Sequence, residues 1–516
     1  MEYGNSSVVE KLVAGEYVSG EPDGGDDCVD SPPTKRPQLS IQGRDRLSDL
    51  PDLPLLHILS HLNFQEAVRT SILSKRFDKL WNSVTVLNFS DEVFGKNNGQ
   101  SFVKFVNTAL LKFINVSPGF RDLEKFSLRF YYDSKYCKEV DAWIKSAVQR
   151  RVKSLHLNLI RFVQNLNYAL PDFLHNDKNL VELVISCCSI PRDVEIGWSS
   201  LRLLSIKGAK LNEELISKMF LGCPVLETLE LSDWSGFDRL KISSASLRVL
   251  KLAGEHKTGL SIHPENLAQL EISGPNLESL EISGTLHRTT VKLNDLGSLE
   301  NAIIDFEVRV GKACYEFHLE LVRRVLKDLG DVKTLALGGW CIKVLSAGEK
   351  YYLSPPSSAR RSLTFCIPVI LWDHLGIVNM LHSSPSLETL VIKLSCFSDK
   401  CGVKHTSAFP SDGDEGYYWT SWRTSSRCRS PLLKTVKIFG LESAGGAMKP
   451  LFQFLEFVLR NCGLLKKVVI RTSGYVMQEA LEEALKLSSI PAASPDAVVH
   501  YEPPRLWIDP LHRYPA

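Results

Sequence analysis

The sequence predicts an α/β protein. A small all-α module near the N-terminus precedes a repeat solenoid on a curved, mostly parallel sheet, and a C-terminal strand-helix-strand unit caps it. Leucines recur at helical spacing from Leu55 to Leu62. From Leu123 onward one pattern recurs: apolar, two residues, apolar, one residue, apolar. After Pro431 a strand, an amphipathic helix and a second strand follow in order.

The first element is the helical module. Ser48 and Asp49 are suitable N-caps before Leu50 and Pro51, because proline is favoured in a first helical turn. Leu55, Leu56, Ile58, Leu59 and Leu62 then give a wide apolar face. Asn63 interrupts the pattern. A second helix fits Gln65 to Ile72, with Val68 and Ile72 on one side, and a third fits Lys75 to Trp81, with Phe77, Leu80 and Trp81. So small a unit buries little by itself and gains stability from a partner.

Leu47, Leu50, Pro51, Leu55, Leu56, Ile58 and Leu59, followed by Ser74-Lys75-Arg76-Phe77 and Leu80-Trp81, resemble the F-box of plant proteins, whose pattern runs LPDxLLxxILSxL and then SKRWxxLW. Two residues depart from it. Pro54 replaces an acidic or polar residue, which a first helical turn tolerates, and Phe77 replaces tryptophan but stays aromatic. The resemblance implies a module over 43–89 that docks a Skp-type adaptor and, through it, a cullin. The adaptor-binding residues it implies are Leu47, Leu50, Pro51, Leu55, Ile58, Leu59, Phe77 and Trp81, with Leu50, Pro51, Ile58 and Leu59 as the leading contacts.

The repeat appears as Leu123-Phe126-Leu128, Val152-Leu155-Leu157, Leu180-Leu183-Ile185, Leu201-Leu204-Ile206, Leu226-Leu229-Leu231 and Leu247-Leu250-Leu252. It continues through Leu267-Leu270-Ile272, Leu277-Leu280-Ile282, Val332-Leu335-Leu337 and Leu387-Leu390-Ile392 to Leu433-Val436-Ile438 and Leu465-Val468-Ile470, with Leu299-Ala302-Ile304 a weak copy. Its alternating second half marks a strand with one buried face. The spacing is that of a leucine-rich repeat, whose units stack because none buries its apolar face alone. Leu267 and Leu277 lie too close for a full coil, so one of them belongs to a convex-side strand or a tight hairpin, and Leu240-Lys-Ile242 and Leu260-Ser-Ile262 also read as convex-side strands. Return helices fit Val140 to Arg151 and Cys314 to Leu329, and Cys188 stands where such repeats place a residue that reaches turn backbone. The exposed strand positions Glu182, Val184, Arg202, Glu227, Thr228, Arg248, Glu278 and Ser279 are mixed in charge and name no partner class.

Residues 1–42 read as a disordered segment, 90–395 as the solenoid and 396–430 as a polar loop carrying Tyr417, Tyr418, Trp419 and Trp422. Residues 431–473 hold a strand, a helix over Met448 to Asn461 with Gly463 as C-cap, and a second strand. That order resembles the FBD domain, which would cap the open end of the sheet. The tail 474–516 has room for a helix over Val476 to Leu487.

Composition excludes several classes. Lys+Arg 61 against Asp+Glu 59 leaves a net charge of +2, with no basic stripe for nucleic acid. No stretch is apolar enough for a membrane span, and the N-terminus lacks a secretory pattern. Twelve scattered cysteines without a C-x-x-C pair read as reduced thiols, so the cytoplasm or nucleus is expected. No nucleotide, hydrolase or metalloprotease motif occurs, so no catalytic, cofactor-binding or metal residue is assigned. His57 and His61 share a helix face but lack a third ligand. The resemblance implies a non-catalytic substrate-recognition subunit of a cullin-based ubiquitin ligase with an unidentified target. A small-ligand co-receptor and a ligase-independent scaffold are the alternatives.

Overall fold

The computed structural model describes residues 47, 49–92, 94–95, 98–116, 122–161, 167–191, 193–235, 239–256, 268–287, 289–309, 315–347, 355–368, 374–395, 430–441, 449–472 and 486–502. The disordered segment expected over 1–42, the aromatic loop over 396–429 and the Leu260-Ser-Ile262 strand lie outside them. The chain forms two compact units, 1–180 and 181–516.

The first unit opens with helices Asp52–Ser60, Phe64–Arg69 and Phe77–Leu80, the last two followed by 3-10 turns Thr70–Ile72 and Trp81–Ser83. The first helix is not capped by a side chain: Pro51 occupies the N-cap, and Asp52 supplies the favourable charge in the first turn. Asn63, which breaks the leucine pattern, is an N-cap. Its Oδ1 accepts from Glu66 N at 2.8 Å and Glu66 returns a bond to the Asn63 N–H, a capping box. That cap starts the second helix at Phe64. The helix ends at Arg69, so Ile72 leaves the Val68 side and becomes exposed, contrary to its expected place.

Three strands follow, β1 (Val86–Ser90), β2 (Lys125–Tyr132) and β3 (Ser154–Arg161), connected by helices Gly99–Val116 and Cys137–Gln149; a two-residue strand, β4 (Tyr168–Ala169), comes after them. They are parallel and in register, Leu87 beside Phe126 beside Leu155 and Phe89 beside Leu128 beside Leu157. Parallel strands need crossovers long enough for a helix, and both helices bury aromatic side chains here. Phe102 stacks on Phe130 at 5.1 Å, and buried Trp143 donates to Asn107 at 2.7 Å. Phe64 reaches from the helical module to Phe89 of β1 at 5.1 Å.

The second unit contains β5 (Glu182–Ser186), β6 (Cys188–Ser189), β7 (Leu203–Lys207), β8 (Thr228–Ser232), β9 (Arg239–Ser243), β10 (Val249–Ala253), β11 (Glu255–His256), β12 (Ala268–Ser273) and β13 (Ser279–His287). It continues through β14 (Thr289–Asn294), β15 (Asn301–Arg309), β16 (Thr334–Gly338), β17 (Ser362–Pro368), β18 (Thr389–Ser395), β19 (Thr435–Leu441), β20 (Lys467–Thr472) and β21 (Val498–Glu502). Its main sheet runs β5, β7, β8, β10, β13, β15 to β21, all parallel. The first strand leucine of each repeat forms one ribbon: Leu183, Leu204, Leu229, Leu250, Leu280, Ala302, Leu335, Leu363, Leu390, Val436 and Val468 are successive partners.

A separate three-stranded sheet holds β9, β12 and β14. This resolves the short Leu267–Leu277 interval: the copy at Leu270-Ile272 pairs with Leu240-Ile242, away from the main sheet. The weak copy at Ala302-Ile304 is a full strand of the main sheet. Helices Glu213–Gly222, Tyr315–Asp328, Gly339–Ala347, His374–His382 and Lys449–Asn461 fill other return paths, and Cys188 donates to the Ser186 carbonyl at 3.5 Å.

The strand-helix-strand unit over 431–473 forms as β19, helix Lys449–Asn461 and β20, but its expected capping role does not hold. β20 pairs onward with β21, so the sheet continues past it. Gly463 is absent from the glycines with positive φ and is not a left-handed cap. Of the tail helix, only its end at Lys486–Leu487 lies within the described residues.

The coils are stitched by a repeated backbone fork. The residue before each strand offers its carbonyl to two N–H groups of the next coil: Arg202 O accepts from Glu227 and Thr228, and Glu227 O from Arg248 and Val249. The same fork recurs at Arg248, Glu278, Lys333, Arg361, Glu388 and Lys434. It places these side chains in a row along one edge, where Arg202 pairs with Glu227 at 2.6 Å, Arg248 with Glu278 at 3.0 Å, Lys333 with Glu300, and Lys434 with Glu388 at 2.9 Å. The pairs are exposed and screened by solvent, so they contribute little to stability.

Candidate partner-binding surfaces

The helical module sorts its apolar residues into two sets. Leu55, Leu59, Phe77 and Trp81 are buried with Phe64, Ala67, Val68 and Leu80. The 55/59 spacing puts both leucines on one helix face. Phe64 meets Trp81 edge-on at 5.8 Å. Leu47 (42 %) and Ile58 (43 %) are exposed, as is Pro51, and Leu50 is half-buried. Of the eight residues assigned to adaptor binding, four therefore build the module and four reach its surface.

Three exposed residues were absent from that assignment: Leu53 (79 %), Ile72 (68 %) and Leu73 (63 %). The signal for Leu53 was available. It lies two residues before Leu55, about 200° round the helix from the buried face. Ile72 and Leu73 needed the end of the second helix, which helical spacing does not give.

Arg76 joins the two stretches. From the turn before the third helix, its Nη2 donates to the Leu50 carbonyl at 2.6 Å and its Nε to Asp52 Oδ1 at 2.9 Å. This holds Leu50 and Pro51 against the segment that follows Ile72 and Leu73. His57 and His61 lie on the outer face with their Nε2 atoms 3.4 Å apart. Among the described residues no group of three or more His, Cys, Asp or Glu could hold a metal ion. No helix among them is long and apolar enough to cross a membrane.

The outward face of the main sheet is the second surface. Of the strand positions expected to be exposed, Arg202, Arg248 and Glu278 are, and Glu182, Val184, Glu227, Thr228 and Ser279 are half-buried. Glu230, Glu281, Asp305 and Glu307 stand on β8, β13 and β15, with Lys251 bound to Glu230 at 2.8 Å. Burial pushes the Glu281 carboxyl up, and the nearby Lys251 draws it back. Ala336, Gly338 and Thr364 leave β16 and β17 small and uncharged on this face, Lys393 stands beside Val391 on β18, and Lys437, Lys467 and Arg471 occupy β19 and β20.

The described cysteines are free thiols. Burial pushes the Cys188 and Cys341 thiols up, and Cys223 to about 12. This is the opposite of the shift that activates a nucleophile.

Comparison with known proteins agrees with this architecture. The profile of the At1g61320/AtMIF1 LRR domain matches residues 119–490, more than half of the chain, and that of the F-box domain matches 47–89. The chain is 25 % identical to the F-box/LRR-repeat protein At3g03360 of Arabidopsis thaliana over 85 % of its own length and 87 % of the relative's. It is 27 % identical to the putative F-box/LRR-repeat protein At3g18150 of the same organism, over 69 % of this chain and 74 % of that one. An N-terminal F-box module and a leucine-rich-repeat sheet, matched together and in this order, make the chain a member of the F-box/LRR-repeat family.

Proposed function

We propose that this chain is the substrate-recognition subunit of a cullin-based ubiquitin ligase, without catalytic chemistry of its own. Its F-box docks a Skp-type adaptor and its repeat sheet holds a target protein. The carrying observation is the pair of apolar sets in the F-box. Leu55, Leu59, Phe77 and Trp81 already fill its interior, yet Leu53, Ile58, Ile72 and Leu73 remain exposed. Exposed apolar side chains clustered on one small module mark a protein-interaction surface. Catalysis then belongs to the recruited ligase, and the chain works by raising the effective concentration of its target. The described cysteines are free thiols, which suits a reducing compartment, so we propose the cytoplasm or nucleus.

Calorimetric titration of the purified chain with a Skp-type adaptor tests this. Changing Leu50 and Pro51 together to alanine is expected to weaken binding by roughly 2 kcal/mol or more if they are hot spots. Failure of the wild-type chain to bind the adaptor, with folding intact, overturns the reading. Target capture is tested separately, by identifying proteins that accumulate when the chain is removed from cells and that bind it through the repeats.

A further inference from the structure

One coil of the second unit departs from the pattern in its interior. From β7 to β20 the residue that opens the motif is apolar and buried in the other coils of the main sheet, as Leu201, Leu226, Leu247, Leu277, Leu299, Val332, Leu387, Leu433 and Leu465. Before β17 it is Arg360, which is fully buried at 0 % exposure. The backbone forks at Lys333 and Arg361 set its place, between Val332 on one side and Leu387 on the other.

The guanidinium is poorly matched there. Nη2 donates to the Leu329 carbonyl at 3.5 Å, while among the described residues Nε and Nη1 have no hydrogen-bond partner. Burial draws the group down to about 10, which still leaves it charged at neutral pH. A buried charge is tolerated when it is paired and hydrogen-bonded.

The polar surroundings match the charge. Burial alternates along this segment: Ser358 in, Ala359 out, Arg360 in, Arg361 out. In extended chain, alternate residues share a side, so Ser358 and Arg360 point into the same interior. The Ser358 hydroxyl lies 3.4 Å from that of Ser384 and donates to the Ser383 carbonyl at 3.1 Å. Ser384 is also fully buried, at a position taken by Trp198, Cys223, Leu329 and Cys462 in other coils and by a second buried serine, Ser430, before β19.

We propose that Arg360, with the hydroxyls of Ser358 and Ser384, forms an interior site for one small tetrahedral oxyanion of the phosphate class. A guanidinium forks through Nη2 with either Nε or Nη1, so one of the unpartnered N–H groups, together with the second hydrogen of Nη2, matches two oxygens of such an ion. Serine hydroxyls rotate to donate to a third. The ion is held between coils, where it is a structural component of the sheet and is independent of adaptor or target.

The test uses the full-length chain and two variants. Arg360→Leu restores the residue of the other coils and keeps the core filled; Arg360→Gln keeps a polar group without the charge. Phosphorus per chain is measured on purified protein, and thermal midpoints are measured with inorganic phosphate, acetate or chloride at equal ionic strength. The expected result is either about one phosphorus per chain in the wild type, or a midpoint that rises by roughly 2 °C or more with added phosphate and not with acetate. Both effects are expected to vanish in the two variants. No retained phosphorus together with no phosphate response overturns the site, as does an equal response in wild type and variants. A response to acetate as large as that to phosphate overturns the assigned class of ion.

Discussion

Arg76 and Asp52 form the clasp of the helical module: the guanidinium that bonds Asp52 also bonds the carbonyl of Leu50, two residues before it. The pair is too exposed to contribute much to stability, on the order of 1 kcal/mol or less. Its consequence is positional, because it fixes the extended entry at Leu50-Pro51 against the third helix. Arg76→Ala is expected to leave the circular dichroism spectrum unchanged and to lower affinity for a Skp-type adaptor about tenfold. Lysine at 76 makes a single bond where arginine makes several, so Arg76→Lys should fall between. Equal affinity for all three proteins in a calorimetric titration would remove Arg76 from the docking surface.

The two apolar sets of the module predict opposite phenotypes. Leu59→Ala empties a buried position and should cost about 2–5 kcal/mol, enough to unfold so small a unit. Leu53→Ala and Ile72→Ala remove exposed groups, so their thermal midpoints should stay close to wild type. If those groups dock the adaptor, each substitution weakens binding by about 1 kcal/mol or more. Thermal unfolding and adaptor titration on the same samples separate the two cases. A Leu53→Ala protein that binds normally would move the docking face elsewhere.

The pattern of apolar residues disclosed most strands of the sheet, because a strand with one buried face must alternate, and alternation is visible in a sequence. It failed at β17 for a physical reason. Arg360 occupies the first apolar position of that copy, and the motif is unrecognisable without it. It failed at helices Gly339–Ala347 and His374–His382 because both are largely buried, and a helix covered on several sides shows no polar face to set its period. β1 was hidden by the F-box resemblance that ran over it. For the docking surface, composition marked Leu55 and Leu59 as strongly as Ile58. Only packing distinguishes a leucine that holds the module from one that meets a partner.

Gly254 and Gly284 face each other across the seam where β10 gives way to β11. Both have positive φ, +86° and +93°. Thr285 N donates to the Gly254 carbonyl at 3.0 Å, and a Cβ on Gly284 would lie 2.1 Å from that same carbonyl oxygen. The obstacle is backbone, so no side-chain rotation relieves it. Gly284→Ala is therefore expected to cost roughly 2 kcal/mol or more, combining left-handed strain with a steric clash. Denaturant unfolding should show a lower midpoint. Gly297→Ala, where nothing lies within 4 Å, should change it little. An unchanged midpoint for Gly284→Ala would show that the seam can open without cost.

Asp91 ends β1 with a buried carboxyl. Its Oδ2 accepts from Tyr131 N at 2.6 Å, and among the described residues its Oδ1 has no hydrogen-bond partner. Burial raises its pKa above the ordinary 3.8, and the Tyr131 N–H and Arg129 draw it back only in part. The sign of the linkage follows. The folded state takes up the proton more readily than the unfolded chain, so this group favours folding most when protonated. That contribution is lost as pH rises from 3.8 through the raised folded value. Asparagine keeps a carbonyl acceptor for Tyr131 and carries no charge to bury. Asp91→Asn is therefore expected to raise the thermal midpoint at pH 7, with the gain shrinking as the pH is lowered into the carboxyl's titration range. Equal midpoints for the two proteins across the whole range would mean that Arg129 compensates the buried charge fully.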